Sequence, residues 1–471
     1  MEKTERGISY KWIVMSVVAV GTFMGTLDQG AVRIALPHLG QVFQVSPDNI
    51  VWVSLIYLLG GTGLMLTLGR VGDAFGRKRL YTSGLVIFSL GLGLCSLAKS
   101  LIQLVMFRLV QAVGSAMTVA TGNAILTSSF PTEERGKALG IMEAVVGVGL
   151  LSGPALGGLL LDSLGWRSIF YLRLPIGIIA AIMAWTLLKE PSSRPEQKFD
   201  LLGAATLFFA LTCLLLSINR GQSWGWISPW VIGLGVMGLL LLFSFLIVEW
   251  KASQPVLDLR LYQSRLFSAA SGSHVFMSMA NATLGFLLPF YLIQGLGFSA
   301  SKAGLLLVAA PAISLMVSPL SGRLSDKLGT FSLCASGLAL VAVGIFLLGS
   351  LGANASVGAI VFYLAILGAG VWLFVSPNTS AILGSVPSER LGTASAMVGT
   401  LRQIGMSVGL AIAGSVFAVR QLFHTTQLTS QGLLEDAVQK LSTVSGFHDA
   451  SFVALAIALV GLVASLLRGR R

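Results

Sequence analysis

The sequence predicts an all-α polytopic membrane protein with fourteen spans, arranged as two six-helix halves with an additional helix pair between them. Three observations predict it. Of 471 residues, 55% are hydrophobic and 11% charged, with mean hydropathy +0.85, where a soluble domain carries roughly 25% charged residues. The chain divides into apolar runs of about 20 residues or more, the length that crosses a hydrocarbon core. An eight-residue pattern also recurs. Gly69-Arg70-Val71-Gly72-Asp73-Ala74-Phe75-Gly76 returns as Gly322-Arg323-Leu324-Ser325-Asp326-Lys327-Leu328-Gly329, each copy following the second span of a half.

In order, the runs fall near residues 12–36, 49–69, 80–98, 101–127, 138–161 and 167–188 in the first half. The pair at 201–219 and 229–249 follows, and the second half places runs near 266–293, 302–322, 331–349, 357–383, 394–418 and 450–468. This sets a lobe at 12–190, a linker with the extra pair at 191–261, and a second lobe at 262–471. Between the last two runs, Arg420–Asp449 is polar with Leu433, Leu434, Ala437 and Leu441 at helical spacing, which reads as a short amphipathic helix or hairpin on the surface.

Charge selects the side. Lys99, Arg167, Arg220, Lys302, Arg420 and Lys440 lie in one set of loops, and Arg33, Arg108, Arg173 and Arg402 lie within spans. Most of the 31 Lys and Arg occupy the termini and the other loops, so the positive-inside rule puts both termini in the cytoplasm of a cell (plasma or inner) membrane. The same distribution assigns the net charge of +12 to loop topology and not to nucleic acid. The polar first residues and the long first run argue against a cleaved signal. Cys95, Cys213 and Cys334 all fall inside apolar runs, without disulfide or metal spacing. No phosphate-binding Gly-x-x-x-x-Gly-Lys-Ser/Thr loop occurs, which points to a gradient as the energy source and to no enzymatic role or cofactor.

The first run ends Leu27-Asp28-Gln29-Gly30-Ala31-Val32-Arg33-Ile34-Ala35-Leu36-Pro37. An acid near the bilayer centre costs about 2.5–3.5 kcal/mol on insertion scales, so it is expected to face a partner or a wet cavity. At 1.5 Å per residue Asp28 lies about 13 Å below Pro37, and Arg108 about 9 Å below the end of its own span. An Asp28–Arg108 pair is therefore geometrically possible, and its structural reading is a permanent buried ion pair. Glu143, near the cytoplasmic start of the fifth run, reads either as a structural charge near an interface or as a second proton or inner recognition site. Arg33 and Arg173 read either as snorkelling side chains or as a cationic outer vestibule.

These stretches resemble the major facilitator superfamily, over almost the whole chain. Gly69–Arg79 resembles its loop signature, and Gly149-Leu150-Leu151-Ser152-Gly153-Pro154-Ala155-Leu156-Gly157-Gly158 its fifth-helix antiporter signature. Arg108-Leu109-Val110-Gln111-Ala112-Val113-Gly114 resembles the fourth-helix motif, with Ala112 where Gly is usual. Leu27-Asp28 and Ala35-Leu36-Pro37 are similar to the first helix of the fourteen-span drug:proton antiporter branch, with Arg33, and later Arg173, where that family has Asn. The resemblance implies a proton-coupled exporter of hydrophobic or amphiphilic small molecules, of multidrug-efflux type, working by alternating access as a monomer. The two departures suggest an alternative, an exporter of a specific lipid or an anionic or zwitterionic metabolite. A non-transporting sensor on the same fold is the third reading. Under the resemblance Asp28, Arg108 and Glu143 serve proton coupling. Arg33, Arg173, Arg402, Phe286, Tyr291 and Trp372 line the substrate cavity. Gly69, Asp73, Arg77, Gly153, Pro154, Gly322 and Asp326 govern the conformational change, Asp73 binding a helix start near Thr393–Ala396.

Overall fold

The computed structural model describes residues 10–131, 134–190, 201–251, 259–386 and 391–468. In the first half, α1 spans Tyr10–Val42, α2 Pro47–Ile50, α3 Trp52–Phe75, α4 Arg77–Ser96, α5 Leu101–Ser129, α6 Arg135–Leu164, α7 Ser168–Tyr171 and α8 Leu174–Leu187. The pair is α9 (Leu201–Trp224) and α10 (Pro229–Lys251). The second half comprises α11 (Arg265–Phe290), α12 (Ala300–Leu307), α13 (Ala309–Leu328), α14 (Thr330–Gly349), α15 (Val357–Gly384), α16 (Leu391–Ser430) and α17 (Glu435–Leu466). Among the described residues, twelve helices are long and apolar enough to cross a membrane. The chain is thus an all-helical, multi-pass membrane protein. α3 and α9, of 24 residues each, stand outside that count.

Proline explains the places where one apolar run becomes two helices. Pro175 has no N–H for the carbonyl of Tyr171, and the sixth run breaks there into α7 and α8. Pro311 likewise leaves the carbonyl of Leu307 without a partner, separating α12 from α13 at Val308. The Arg420–Asp449 segment takes the hairpin form of the two expected. It holds no separate surface helix: α16 runs on to Ser430, turns at Gly432 (φ +76°), and returns as α17 from Glu435.

The eight-residue repeat marks one stop built twice. Gly76 (φ +112°) donates its N–H to Gly72 and ends α3; Gly329 (φ +78°) donates to Ser325 and ends α13. Both glycines hold a backbone conformation that a Cβ opposes. The duplication continues beyond the motif. Gly84 packs on Gly114 and Gly91 on Gln111, joining α4 to α5. At the same distances past the second stop, Gly337 packs on Gly370 and Gly344 on Leu367, joining α14 to α15.

The N-terminal lobe is held by α1 against α6 and α5, α3 against α5, and α4 against α5 and α8; the C-terminal lobe by α11 against α16 and α17, and α13 and α14 against α15. α1 begins beside the start of α6, where Lys11 donates to Glu134 (2.5 Å), and its far end meets the end of α11, where Gln294 Nε2 donates to the Pro37 carbonyl (3.3 Å). Arg265, at the start of α11, donates to the carbonyl of Leu467 at the end of α17 (2.8 Å). The first and last helices therefore have their chain ends on one face, the near face, with the opposite one the far face.

The lobes touch most closely along α6. On one side Gly149, Gly153 and Gly157 lie against Thr26, Gly30 and Ala31 of α1; on the other, Gly158 and Pro154 lie against Ala300 and Gly304 of α12. At the far face Asp162 accepts from the N–H groups of Ala300 (3.2 Å) and Ser301 (2.7 Å), an acid placed on the N-terminus of a helix in the other lobe. α9 rests on both lobes, against α3 and α16. Trp52 donates to Asn219 (2.7 Å), Arg220 to Asn49 (2.7 Å), and Ser415 to the Ile218 carbonyl (3.3 Å).

A Cβ on Gly114 would lie 2.3 Å from the backbone nitrogen of Phe88, whereas one on Gly140 would meet nothing within 4 Å. Gly114→Ala should destabilise the detergent-solubilised protein by about 1–3 kcal/mol through overpacking. Gly140→Ala should be neutral or stabilise it by about 0.5–1 kcal/mol. Thermal or denaturant unfolding of the two variants checks the contrast.

Candidate functional site

Asp28 lies in the middle of α1, fully buried, and is the hub of a polar cluster inside the N-terminal lobe. Its Oδ2 accepts from Arg108 Nη1 (2.6 Å), and its Oδ1 accepts from Gln111 Nε2 (3.0 Å). Arg173 Nη1 stands 2.8 Å from Oδ1 on the other side as a second ion pair. Arg108 and Gln111 share a face of α5 because they are three residues apart, and Arg108 Nη1 also donates to Gln111 Oε1 (2.7 Å).

Arg108 is held from every direction. Its Nε donates to the Val53 carbonyl (3.1 Å), and its guanidinium sits 4.3 Å over the ring of Tyr57. Tyr57 is itself tied to Ser115 (2.8 Å). Arg173 reaches Asp28 because the proline break between α7 and α8 leaves it between helices, where its Nε donates to the Ile169 carbonyl (2.5 Å). One carboxylate therefore faces two guanidiniums, all three with side chains at most 5% exposed.

A cavity between the lobes adjoins this cluster. Gln29, Arg33, Ser54, Tyr57, Leu58 and Arg108 line it from the N-terminal lobe and Leu410 from α16, as a narrow cleft with a volume of about 10 Å³ in this conformation, on the order of the room for one water. Asp28 sits behind Arg108 and Tyr57, not in the cavity wall.

The other residues singled out in the sequence are dispersed. Arg33 is in the cavity wall, with its Nη1 close to Gly285 of α11. Arg173 belongs to the Asp28 cluster and not to the cavity. Phe286 and Tyr291 are fully buried in the C-terminal lobe, Tyr291 stacked on Phe447 at 4.4 Å and bonded to the Gly352 carbonyl (2.8 Å); neither lines this cavity. Trp372 is half-buried on α15. Arg402 is exposed on α16. Glu143 is exposed on α6, one turn before Gly147, whose Cα faces Leu315 of α13. Arg77 directs a guanidinium nitrogen to the Ala124 carbonyl (3.5 Å). Gly153 and Pro154 form the seam with α1 and α12. The side chains of Gly69, Asp73, Gly322 and Asp326, and the linker from 191 to 200, lie outside the described residues.

Sequence reading missed Gln111 as a ligand of Asp28, although its three-residue spacing from Arg108 was the available signal. It also missed a second buried cluster in the C-terminal lobe. Arg468 Nη2 donates to Ser273 (2.7 Å) and to Asn378 Oδ1, and Asn378 Nδ2 donates to the Ala270 carbonyl (3.2 Å) and lies 3.3 Å from His274 Nδ1. In the sequence Arg468 is one of several terminal basic residues, with nothing to show that it folds inward.

A model described as the Major Facilitator Superfamily matches residues 18–410. The chain belongs to the major facilitator superfamily. It is 35% identical to the riboflavin transporter RibZ of Clostridioides difficile (strain 630), over 87% of this chain and 88% of the relative. It is 31% identical to the multidrug resistance protein Stp of Mycobacterium tuberculosis (strain CDC 1551 / Oshkosh), over 91% of this chain and 80% of the relative. In fold it is similar to a bacterial homolog of the human lysosomal transporter Spinster, solved inward-facing and unoccupied, with TM-score 0.75, 16% identity, and 98% and 97% of the two chains covered. As a member of this superfamily the chain is a transporter and not an enzyme.

Within this superfamily member the two arginines on Asp28 are not equivalent. Arg108 also satisfies Val53 and Gln111 and stacks on Tyr57, while Arg173 adds the Ile169 carbonyl alone among the described bonds. Arg108→Gln should therefore destabilise the protein more than Arg173→Gln, by about 3–5 kcal/mol where a buried pair loses its main partner. Unfolding of the two variants in the same detergent checks the order.

Proposed function

We propose that the protein is a proton-coupled exporter of hydrophobic or amphiphilic small molecules, a fourteen-span drug:proton antiporter in which α3 and α9 also cross the bilayer. Residues 12–190 and 262–471 act as the two rocking lobes, with 191–261 as linker and extra pair. The near face is cytoplasmic in a cell membrane, following the positive-inside rule, and the unit is a monomer. Relatives named as multidrug resistance proteins support the drug reading, while the relative named for riboflavin leaves the substrate class wide.

The observation that carries the proposal is Asp28, fully buried and braced by Arg108 and Arg173 next to the cavity between the lobes. A proton placed on Asp28 would leave both guanidiniums buried without an anion. Protonation is therefore tied to movement of at least one arginine, and Arg108 is the one that also faces the cavity. Far-face access loads the proton, near-face access releases it, and substrate moves the other way. One charge crossing per cycle draws about 2.3 kcal/mol from each 100 mV of membrane potential. Glu143 and Arg402, outside the lining of this cavity, serve proton and substrate passage toward the near face, and the loop pair Gly69–Arg77 and Gly322–Asp326 governs the rocking.

Two measurements test this. In proteoliposomes loaded with a pH-sensitive dye, substrate should drive proton flux, and Asp28→Asn should abolish it while the purified variant still binds substrate. Substrate-driven flux that survives the substitution would overturn the coupling assignment. Asp162→Ala removes the acid from the start of α12 and should shift the lobes toward far-face opening. Spin-label distances across the far face, between α6 and α12, should lengthen.

A further inference from the structure

The cavity has a charge imbalance that proton coupling does not use. Arg108 and Arg173 are both engaged by Asp28. Arg33 is not. Among the described residues no carboxylate lies within 4.0 Å of its guanidinium, it makes no hydrogen bond, and no other charge bears on it. A permanently charged side chain at this depth is costly without a partner. Arg33 is half-buried, and its Nη1 lies beside α11 of the other lobe. There Gly285 leaves room: a Cβ at that position would stand 3.2 Å from the nitrogen.

The surroundings of Arg33 describe a ligand. Gln29 and Ser54 offer neutral hydrogen-bonding groups, and Leu58 and Leu410 offer apolar walls, one from each lobe. A planar guanidinium with several free donors suits an oxyanion held at two points. We propose that Arg33 is the anion-recognition residue of the substrate site between the lobes, and that the preferred substrates carry a carboxylate, phosphate or sulfonate group on an apolar body. This deepens the export reading above and rests on it for direction and energy source. In this conformation the cleft holds only about 10 Å³, so the anionic group reaches Arg33, and the apolar body the space between Leu58 and Leu410, as the lobes part. As they do, Gly285 withdraws and the guanidinium is left on the N-terminal lobe, open to the anion.

The test uses two dyes with one xanthene ring system and opposite charge, fluorescein (anionic) and rhodamine 123 (cationic). Fluorescence anisotropy on the full-length protein in detergent gives the ratio of their affinities, which is independent of the folded fraction when both are read on one preparation. Wild type should favour fluorescein. Arg33→Gln should lower the fluorescein-to-rhodamine ratio by about tenfold or more. Arg33→Lys, which keeps the charge but loses the fork, should recover part of it. Gly285→Val, which crowds the guanidinium from the other lobe, should lower the ratio in the same direction. A wild-type preference for rhodamine, or a ratio that stays within about twofold across the variants, would overturn the assignment. Transport of the same dyes in proteoliposomes separates the two claims. If a pH gradient drives neither dye while the binding ratio still shifts, the export reading fails and Arg33 keeps its role. If both dyes are driven and the ratio does not shift, the reverse holds.

Discussion

A carboxylate taken out of water and enclosed by two guanidiniums is the constraint around which the N-terminal lobe is built. Isolated, Asp28 at this depth would be strongly unfavourable, and so would either arginine. Together they are tolerated only because geometry is supplied from several helices at once. α1 brings the acid, α5 brings Arg108 and Gln111, the break between α7 and α8 brings Arg173, and α3 contributes the Val53 carbonyl and the Tyr57 ring. Moving any one of these elements by an ångström or two would leave a buried charge without its partner. The lobe therefore has reason to move as a rigid piece.

Rigidity inside each lobe contrasts with the contact between them. Within the lobes, paired glycines let α4 meet α5, and α14 meet α15, backbone to backbone. Between the lobes α6 also approaches without intervening side chains, but its polar ties there are few: Asp162 on the start of α12, and Ser301 on the Gly158 carbonyl (3.3 Å). Close van der Waals packing of small residues associates membrane helices, and it can be undone by translation without leaving polar groups stranded. The same helix thus meets α1 inside its lobe and α12 across the interface through the same kind of small-residue packing, with the far-face hydrogen bonds added on α12.

Much of this was legible before any coordinates. Composition, run length and basic loops specify a polytopic helical protein, and the Gly69 and Gly322 copies disclose the duplication because a stop after a span needs glycine at a set place. Asp28 and Arg108 could be matched by depth, since each lies a countable number of residues from the end of its span. The partnership with Arg173 could not be counted the same way, because Pro175 breaks the run and moves the residue out of the helical register. Aromatic residues were the least informative. Phe286 and Tyr291 carry no mark that separates a packed ring from a cavity wall, and in a chain this apolar most rings are packed. The inward fold of Arg468 onto Ser273 and Asn378 was equally invisible, as a basic residue at a terminus ordinarily belongs to the interface.

The seat of α9 has a mechanical implication. It is bonded to the α2–α3 corner through Asn219 and Arg220, and to α16 by Ser415, which donates to the Ile218 carbonyl. In the proposed rocking, α9 must therefore slip on one of its two seats. The insertion makes the two flanks unlike, with a whole helix bridging the halves on one and α6 meeting α12 through glycine on the other.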